Sequence, residues 1–319
     1  MNREIRQIEM VRRKFTEKIR NSDFSDLDQI VCGDVWAESS VTGSGQGIEA
    51  LEKLFAYPGP KPFYTKSNVE NNILRYEGDR AQQSFHLILL YAVRDSAGEF
   101  HFMQYGGTFV LSYQKTGEQW KIGRVLFDLC WQDGNTYWTN GWKMPDFHEP
   151  WNYRPVIQKK DSVLRSIPCC VYERTDEEQI KECLYSFGWV TDSEDYELLK
   201  EIAVRDVKIK DGYHNQYIET ADEWMEFLKG INDKEPRLHH TYRVKKIDIN
   251  GNRAEAEMSR IEPNRIGSRA IGEHNYFMDW FTMDCNIELI RSEERWKIRS
   301  VEFIKHIYPE PVLTYKMGM

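Results

Sequence analysis

The chain says the same thing twice. Glu77-Gly78-Asp79-Arg80-Ala81 follows an extended stretch and precedes an apolar, strand-like run, and Asn250-Gly251-Asn252-Arg253-Ala254 stands in the same setting. Gln119-Trp120-Lys121-Ile122 recurs as Arg295-Trp296-Lys297-Ile298, and Asp34-Val35 as Asp206-Val207. The spacing is 172 residues at Asp34/Asp206, 173 at Gly78/Gly251 and 176 at Trp120/Trp296. So small a drift points to one domain, duplicated, with a few loop insertions since. The unit is far longer than a solenoid repeat, so two domains are expected and not an array. The 319 residues allow two domains of ordinary size, each able to bury its own core. A polar group kept in one copy and lost in the other then becomes a candidate for chemistry.

Periodicity gives both halves the same order of elements. Ile5, Ile8, Val11, Phe15 and Ile19 recur at helical spacing, a short helix is expected at Asp26–Val31, and a third begins near Gly47. From Ser67 the pattern changes to strands, with long extended runs at Arg80–Arg94, Phe100–Gln114 and Gln119–Trp131. The second half repeats this with helices at 176–189, Tyr196–Ala203 and Ala221–Leu228, then strands at about 239–249, 253–261, 276–290 and 295–306. Helices followed by a run of antiparallel strands make an α+β unit. The expected fold is two tandem domains, each with three helices in the concavity of a strongly curved antiparallel sheet. The boundaries read 1–145, a linker at 146–172 and 173–319. The aromatic and proline-rich stretch from Trp131 to Tyr172 reads either as a linker packed across the junction or as a flap over a pocket mouth. Gly43-Ser44-Gly45-Gln46-Gly47 lacks the Gly-Lys-Ser/Thr of a phosphate loop and reads as a plain turn.

A net charge of -8 without a basic run argues against nucleic acid and anionic membranes as partners. The six cysteines show no C-x-x-C spacing, and Cys169-Cys170 reads as two reduced thiols in the linker. No signal peptide or membrane-spanning run is legible, so a cytoplasmic, soluble protein is expected. The supply of 10 Trp, 17 Tyr and 15 Phe suits a core and also a cavity for a flat apolar ligand.

Several stretches carry a family likeness. They are Asp192-Ser193-Glu194-Asp195-Tyr196-Glu197-Leu198-Leu199 at a helix-to-helix junction, Arg205-Asp206-Val207-Lys208-Ile209, His239-His240 leading to Ile249-Asn250-Gly251-Asn252-Arg253-Ala254, and the closing Trp296-Lys297-Ile298. In this order and spacing they resemble the SnoaL-like group of the nuclear transport factor two-like superfamily, over nearly all of residues 176–306 and more faintly over 5–130. The resemblance implies two tandem cone-like domains packed as an internal pseudo-dimer. Similar families include scytalone dehydratase, bile-acid dehydratases, polyketide cyclases and ketosteroid isomerase, alongside members that are not enzymes, so the site must decide function.

The resemblance implies a catalytic His at His240, eleven residues before Gly251, and a partnering acid at Asp192. The first copy has Ser67 and Arg20 at the matching positions, so it is expected to be catalytically degenerate and to serve as scaffold. A histidine supplies a base with a pKa near working pH, and a carboxylate behind it fixes the tautomer and stabilises the imidazolium. No metal or organic cofactor is required. His240 could equally be a strand histidine hydrogen-bonded to a neighbour, and Asp192 a solvated helix-end carboxylate. His239 alternates to the opposite face and is expected at the surface, unless the register slips by one. Asp279 shares the parity of Phe277, Phe281, Met283 and Cys285; it is either an inward auxiliary acid or is turned to water by a bulge. Tyr185, Trp189, Tyr242 and Phe281 are the candidate substrate-binding residues. The position five before Asp192, often Tyr in the similar families, is Phe187; Tyr185 or Tyr242 could substitute, or simply pack the core. Residues 262–274 read as a loop, either a mobile lid or an ordinary connection, ending at His274. His86, His101, His148 and His214 show no metal spacing, and His306 has no assigned role. The expected activity is that of a cofactor-independent lyase or isomerase, preferably a dehydratase, acting on a small polycyclic or aromatic carbonyl compound. The competing expectation is a protein that binds a hydrophobic ligand or scaffolds an assembly. Further homo-oligomerisation is left open.

Overall fold

The computed structural model describes residues 2–142, 154–168, 172–212, 215–232 and 239–305. In chain order the elements are α1 (Arg3–Asn21), β1 (Val31–Ser39), β2 (Gly43–Gln46), α2 (Ile48–Phe55), β3 (Tyr64–Glu77), β4 (Arg80–Arg94), β5 (Phe100–Thr116) and β6 (Gln119–Asn135). They continue with α3 (Val163–Ser166), α4 (Asp176–Asp192), α5 (Leu199–Ile202), β7 (Ala203–Asp211), β8 (Gln216–Ile218), α6 (Ala221–Asn232), β9 (Thr241–Asn250), β10 (Arg253–Ile271), β11 (Asn275–Ser292) and β12 (Arg295–Lys305).

Local chemistry explains the helices that matter. α1 starts where the Asn2 side chain accepts the Glu4 amide at 2.8 Å, and it buries Ile8, Val11, Phe15 and Ile19 on one face. α4 opens with a reciprocal cap, in which Thr175 Oγ1 accepts the Glu178 amide and Glu178 accepts the Thr175 amide. Asp176, Glu177 and Glu178 lie in its first turn, where the helix dipole favours negative charge. The repeated Gly-containing turns join hairpins: Gly78 (φ 61°) links β3 to β4 and Gly251 (φ 58°) links β9 to β10, a backbone that glycine adopts without steric cost.

Among the described residues the strands form one 12-stranded sheet. β3, β4, β5 and β6 pair antiparallel in sequence order, as do β9, β10, β11 and β12. β1 adds parallel to β6 and antiparallel to β2; β7 adds parallel to β12 and antiparallel to β8. The pairing pattern of the first six strands thus recurs in the last six. The two sets meet where Asn275 and Tyr276 of β11 pair with Asn135 and Gly134 of β6.

Two apolar clusters underlie this sheet. One gathers α1, α2 and inward residues of the first strands, including Phe15, Phe55, Phe85, Phe109 and Phe127. The other gathers α4, α6 and the later strands, including Phe187, Trp224, Tyr242, Met258, Ile287 and Phe303, and it also takes Ile73, Val110 and Leu126 from the first half. The outer face of the first half's sheet therefore packs against the second half. Residues 154–168 lie across this junction. Ile157, Val163, Leu164 and Ile167 join the second cluster, and Asp128 of β6 accepts the amides of Val156 and Ile157 at 2.8 and 3.0 Å. Trp138 and Trp142 pack instead on the first cluster. Phe147, Trp151, Tyr153, Cys169, Cys170, His148, His214 and His306 fall outside the described residues.

The structure corrects several expectations. Val31–Ser39 and Ala203–Asp211 are strands, and the glycine-rich Gly43–Gln46 is the antiparallel partner of β1 and more than a turn. The short second helices are 3-10 turns at Leu27–Gln29 and Tyr196–Leu198, the latter running into α5. Residues 262–274 are mostly strand, because β10 continues to Ile271 with a register shift between Asn264 and Arg269. His239 is buried, at 1% exposure, with its ring packed at a 38° tilt against that of His86 of the other half, centroids 3.9 Å apart.

Candidate active site

α4 carries Asp192 to its C-terminal end, where the dipole is unfavourable to a carboxylate. The charge is met by His240, the residue just before β9. Asp192 accepts the His240 amide at 3.0 and 3.2 Å, and its Oδ1 touches His240 Nδ1. The two residues expected to pair therefore do so, and the solvated helix-end reading of Asp192 does not hold.

The other ring nitrogen is also engaged. His240 Nε2 lies 2.7 Å from Glu262 Oε2. Glu262 in turn is held by Arg260, with Nη2 at 2.8 Å from both carboxylate oxygens and Nε at 3.1 Å from Oε2. The result is a chain, Asp192–His240–Glu262–Arg260, with His240 1% exposed. Arg260 and Glu262 share the inward parity of Ala254, Ala256 and Met258 on β10, so the alternation that buries the apolar residues also turns these two charges inward. Burying such charges is costly unless they pair, and here they pair with each other.

The electrostatics follow from this arrangement. Burial and the Arg260 charge both depress the His240 pKa, but the carboxylates of Asp192 and Glu262 outweigh them, and it is raised. Burial would raise Glu262, yet Arg260 and His240 hold it well below the usual carboxylate range. Burial pushes Asp192 up against the opposing pull of His240. His240 thus sits as an imidazolium-favouring ring between two carboxylates.

His86 of β4 approaches Asp192, with Nε2 3.6 Å from Oδ2. That is too long for a hydrogen bond. Burial first, and the His240 charge second, push the His86 pKa down to about 3, so at neutral pH it offers Asp192 a dipole and not a charge. The consequence for stability is opposite in sign to that of His240. Below about pH 6.5 the unfolded chain protonates this histidine, and the folded chain does not until about pH 3. The fold therefore loses stability across that window as pH falls. The raised His240 contributes stability present below the ordinary imidazole pKa and lost as pH rises through its folded value. Thermal melts of the His86→Gln variant are expected to show a shallower fall in stability from pH 6.5 to 3 than the parent. An unchanged slope would exclude His86 as a source of the acid limb.

The remaining candidates are placed as follows. Tyr242 is fully buried, its ring nearly parallel to that of His240 at 6.0 Å and 5.5 Å from Phe187, and its hydroxyl has no hydrogen-bond partner among the described residues. Trp189 is buried in the same cluster, and Phe281 packs against it, cross-strand from Glu262. Tyr185 lines a different place, a cleft of about 610 Å³ shared with Ile5, Glu9 and Asn72 of the first half. Asp279 is half-buried; its Oδ1 accepts the Trp280 amide at 3.0 Å, and its own amide bonds Ser268 Oγ. The carboxylate at His240 Nε2 is Glu262, the first residue of the segment expected to be a loop, and not Asp279. His274 sits in the β10–β11 turn, with its ring against Tyr137. His101 does have a carboxylate neighbour: its Nε2 lies 2.8 Å from Asp95 Oδ2, with Glu99 close by. Asp95 Oδ1 also accepts the amides of Ala97 and Glu99, and Asn135 meets the other His101 nitrogen, a hydrogen-bond set that closes the β4–β5 turn.

Glu262 and Arg260 had a signal in the sequence. With the copies aligned on Gly78 and Gly251, their counterparts are Leu89 and Leu87, both buried in the first core. Comparison of the copies along the whole strand, and not only at the His position, would have singled them out.

Residues 173–302 match the SnoaL-like domain family. No curated protein matches the chain. Among solved structures, similarity is found to an NTF2-like protein with a cystatin-like fold from Novosphingobium aromaticivorans, at 16% identity over 42% of this chain and 84% of that one, with a TM-score of 0.35. A cystatin-like-fold protein of unknown function from Nostoc punctiforme is similar at 16% identity over 41% and 93%, with a TM-score of 0.34. A type 2 hexachlorocyclohexane dehydrochlorinase is similar at 12% identity over 41% and 88%, with a TM-score of 0.35. Among the described residues no helix is long and apolar enough to cross a membrane.

Proposed function

We propose that the SnoaL-like domain at residues 173–302 is a cofactor-independent lyase or isomerase, by preference a dehydratase, acting on a small hydrophobic carbonyl compound of steroid or polyketide type. The observation that carries this reading is the buried His240 ring, in contact with Asp192 on one nitrogen and Glu262 on the other. With Nδ1 committed to Asp192, Nε2 is the proton-transferring atom. The substrate displaces Glu262 from it, and Arg260 keeps the displaced carboxylate paired. Neutral Nε2 takes the proton next to the carbonyl, electrons move into the enolate, and the imidazolium returns that proton to the departing β-hydroxyl as water. Tyr242, whose pKa burial raises well above the ordinary phenol value, stays protonated and donates to the carbonyl oxygen. Trp189 and Phe281 supply apolar wall. The chain as a whole is read as two fused copies, an internal pseudo-dimer whose first copy carries no dyad of its own.

A second reading is favoured by one specific feature. Glu262 already satisfies His240 Nε2, so the chain of four groups is closed and could serve only to fix the core of a ligand-binding or scaffolding protein. A panel of cyclic β-hydroxy ketones separates the two. The enzyme reading expects growth of conjugated-enone absorbance with the intact protein. Binding detected by thermal shift without any such growth would favour the second reading.

A further inference from the structure

We propose that Asn71, in the first half of the chain, is a positioning residue for the His240 site of the second half, so that the site is built from both copies. This rests on the functional reading above. β9 pairs through one edge with β10, Thr241 standing opposite Ile261. The backbone groups of His240 and Tyr242 on the other edge need partners. Side chains provide them in succession. Asp192 accepts the His240 amide, Asn71 Nδ2 donates to the His240 carbonyl at 2.7 Å, and Asn71 Oδ1 accepts the Tyr242 amide at 2.7 Å. A carboxamide suits this place because it offers a donor and an acceptor side by side, as a neighbouring strand would.

The fold is shaped to deliver that side chain. The register of β3 against β4 breaks between Glu70 and Ile73, and Asn71 within the break has φ 52°, a left-handed backbone that Asn tolerates better than most residues. It is 5% exposed. On the opposite side stands Gly188, inside α4, where alanine would ordinarily favour the helix. A Cβ there would lie 2.8 Å from the Tyr242 ring and 2.9 Å from Asn71 Nδ2. The helix thus carries a glycine where Asn71 and Tyr242 need the room. With the main chain held at three points around residue 240, the ring is fixed between the carboxylates of Asp192 and Glu262. The other ionisable groups around it are Arg260, Tyr242 and, across the junction, His86 beside Asp192 and His239 packed against His86.

The test is a pH titration of the intact protein by 15N-histidine NMR, with amide exchange followed on the same samples. Asn71→Gly removes the carboxamide without straining the left-handed backbone. It is expected to move the His240 titration down towards ordinary imidazole, as the ring loses its fixed place between two carboxylates, and to speed exchange of the Tyr242 amide about tenfold. Gly188→Ala keeps Asn71 but crowds it, and should move His240 in the same direction. Wild-type titration of His240 in both variants would overturn the proposal. Asp192→Asn separates this from the parent reading. If Asp192→Asn shifts His240 while the other two do not, only the role of Asn71 falls. If Asp192→Asn also leaves His240 unmoved, the dyad itself is wrong.

Discussion

Replacing Arg260 with methionine is expected to destabilise the protein by about 3–5 kcal/mol, the range for removing one member of a buried ion pair. Glu262 would then remain inward-facing with its charge uncompensated except by His240. Its carboxyl, now held far below the usual range mainly by Arg260, would rise, and the loss should grow as pH increases and Glu262 is forced to ionise. The double variant Arg260→Met/Glu262→Leu removes both charges and restores the apolar character that Leu87 and Leu89 give the first copy. It should recover most of the loss, because an apolar pair of similar volume can replace a buried ion pair at little cost. Urea unfolding of the two single variants and the double gives the coupling directly. Additive losses would mean that the two side chains do not form the pair described.

His240→Ala is expected to lower turnover of a reactive β-hydroxy ketone by about 10²–10⁴-fold, the usual contribution of a positioned acid–base group. Affinity should change much less, because the proposed binding residues Tyr242, Trp189 and Phe281 are untouched by the substitution. The intact protein should be more active as pH rises through the His240 pKa, since only neutral Nε2 can accept a proton. That rise should lie above the ordinary imidazole range, because two carboxylates favour the charged ring. Glu262→Gln removes one of them and should shift the profile to lower pH. A profile that stays in place would mean that Glu262 is not at His240 in solution.

Much of the strand framework could be read before any coordinates. Arg80–Arg94 stands out from the unbroken apolar run at Leu87–Val93 and from its bounding turns, and the strand matches it residue for residue. Other elements were hidden for physical reasons. Val31–Ser39 contains Gly33, Asp34 and Glu38 and buries residues irregularly, because it adds to the sheet edge beside β6. Glu262–Ile271 contains Pro263 and Gly267, which read as loop residues, yet the strand runs through a register shift at that point. His239 alternates away from His240, as expected, but burial there depends on a surface some 150 residues earlier in the chain, which no local pattern reports. At the site, the Asp192–His240 contact was legible because the family resemblance marked both positions and the long-range repeat showed which copy retained both groups. The placement of Asn71 was not, since one Asn of an Asn71-Asn72 pair in an extended stretch carries no mark of a partner on another strand.

The central claim is that His240 moves a proton next to a carbonyl. The most direct measurement is deuterium incorporation, followed by NMR, at the position α to the carbonyl of cyclic ketones incubated with the intact protein in deuterated buffer. The account predicts incorporation above the buffer rate, rising with pH and lost in His240→Ala. Ketones that bind, as shown by a thermal shift, yet exchange no faster than in buffer, or equally fast with His240→Ala, would contradict it.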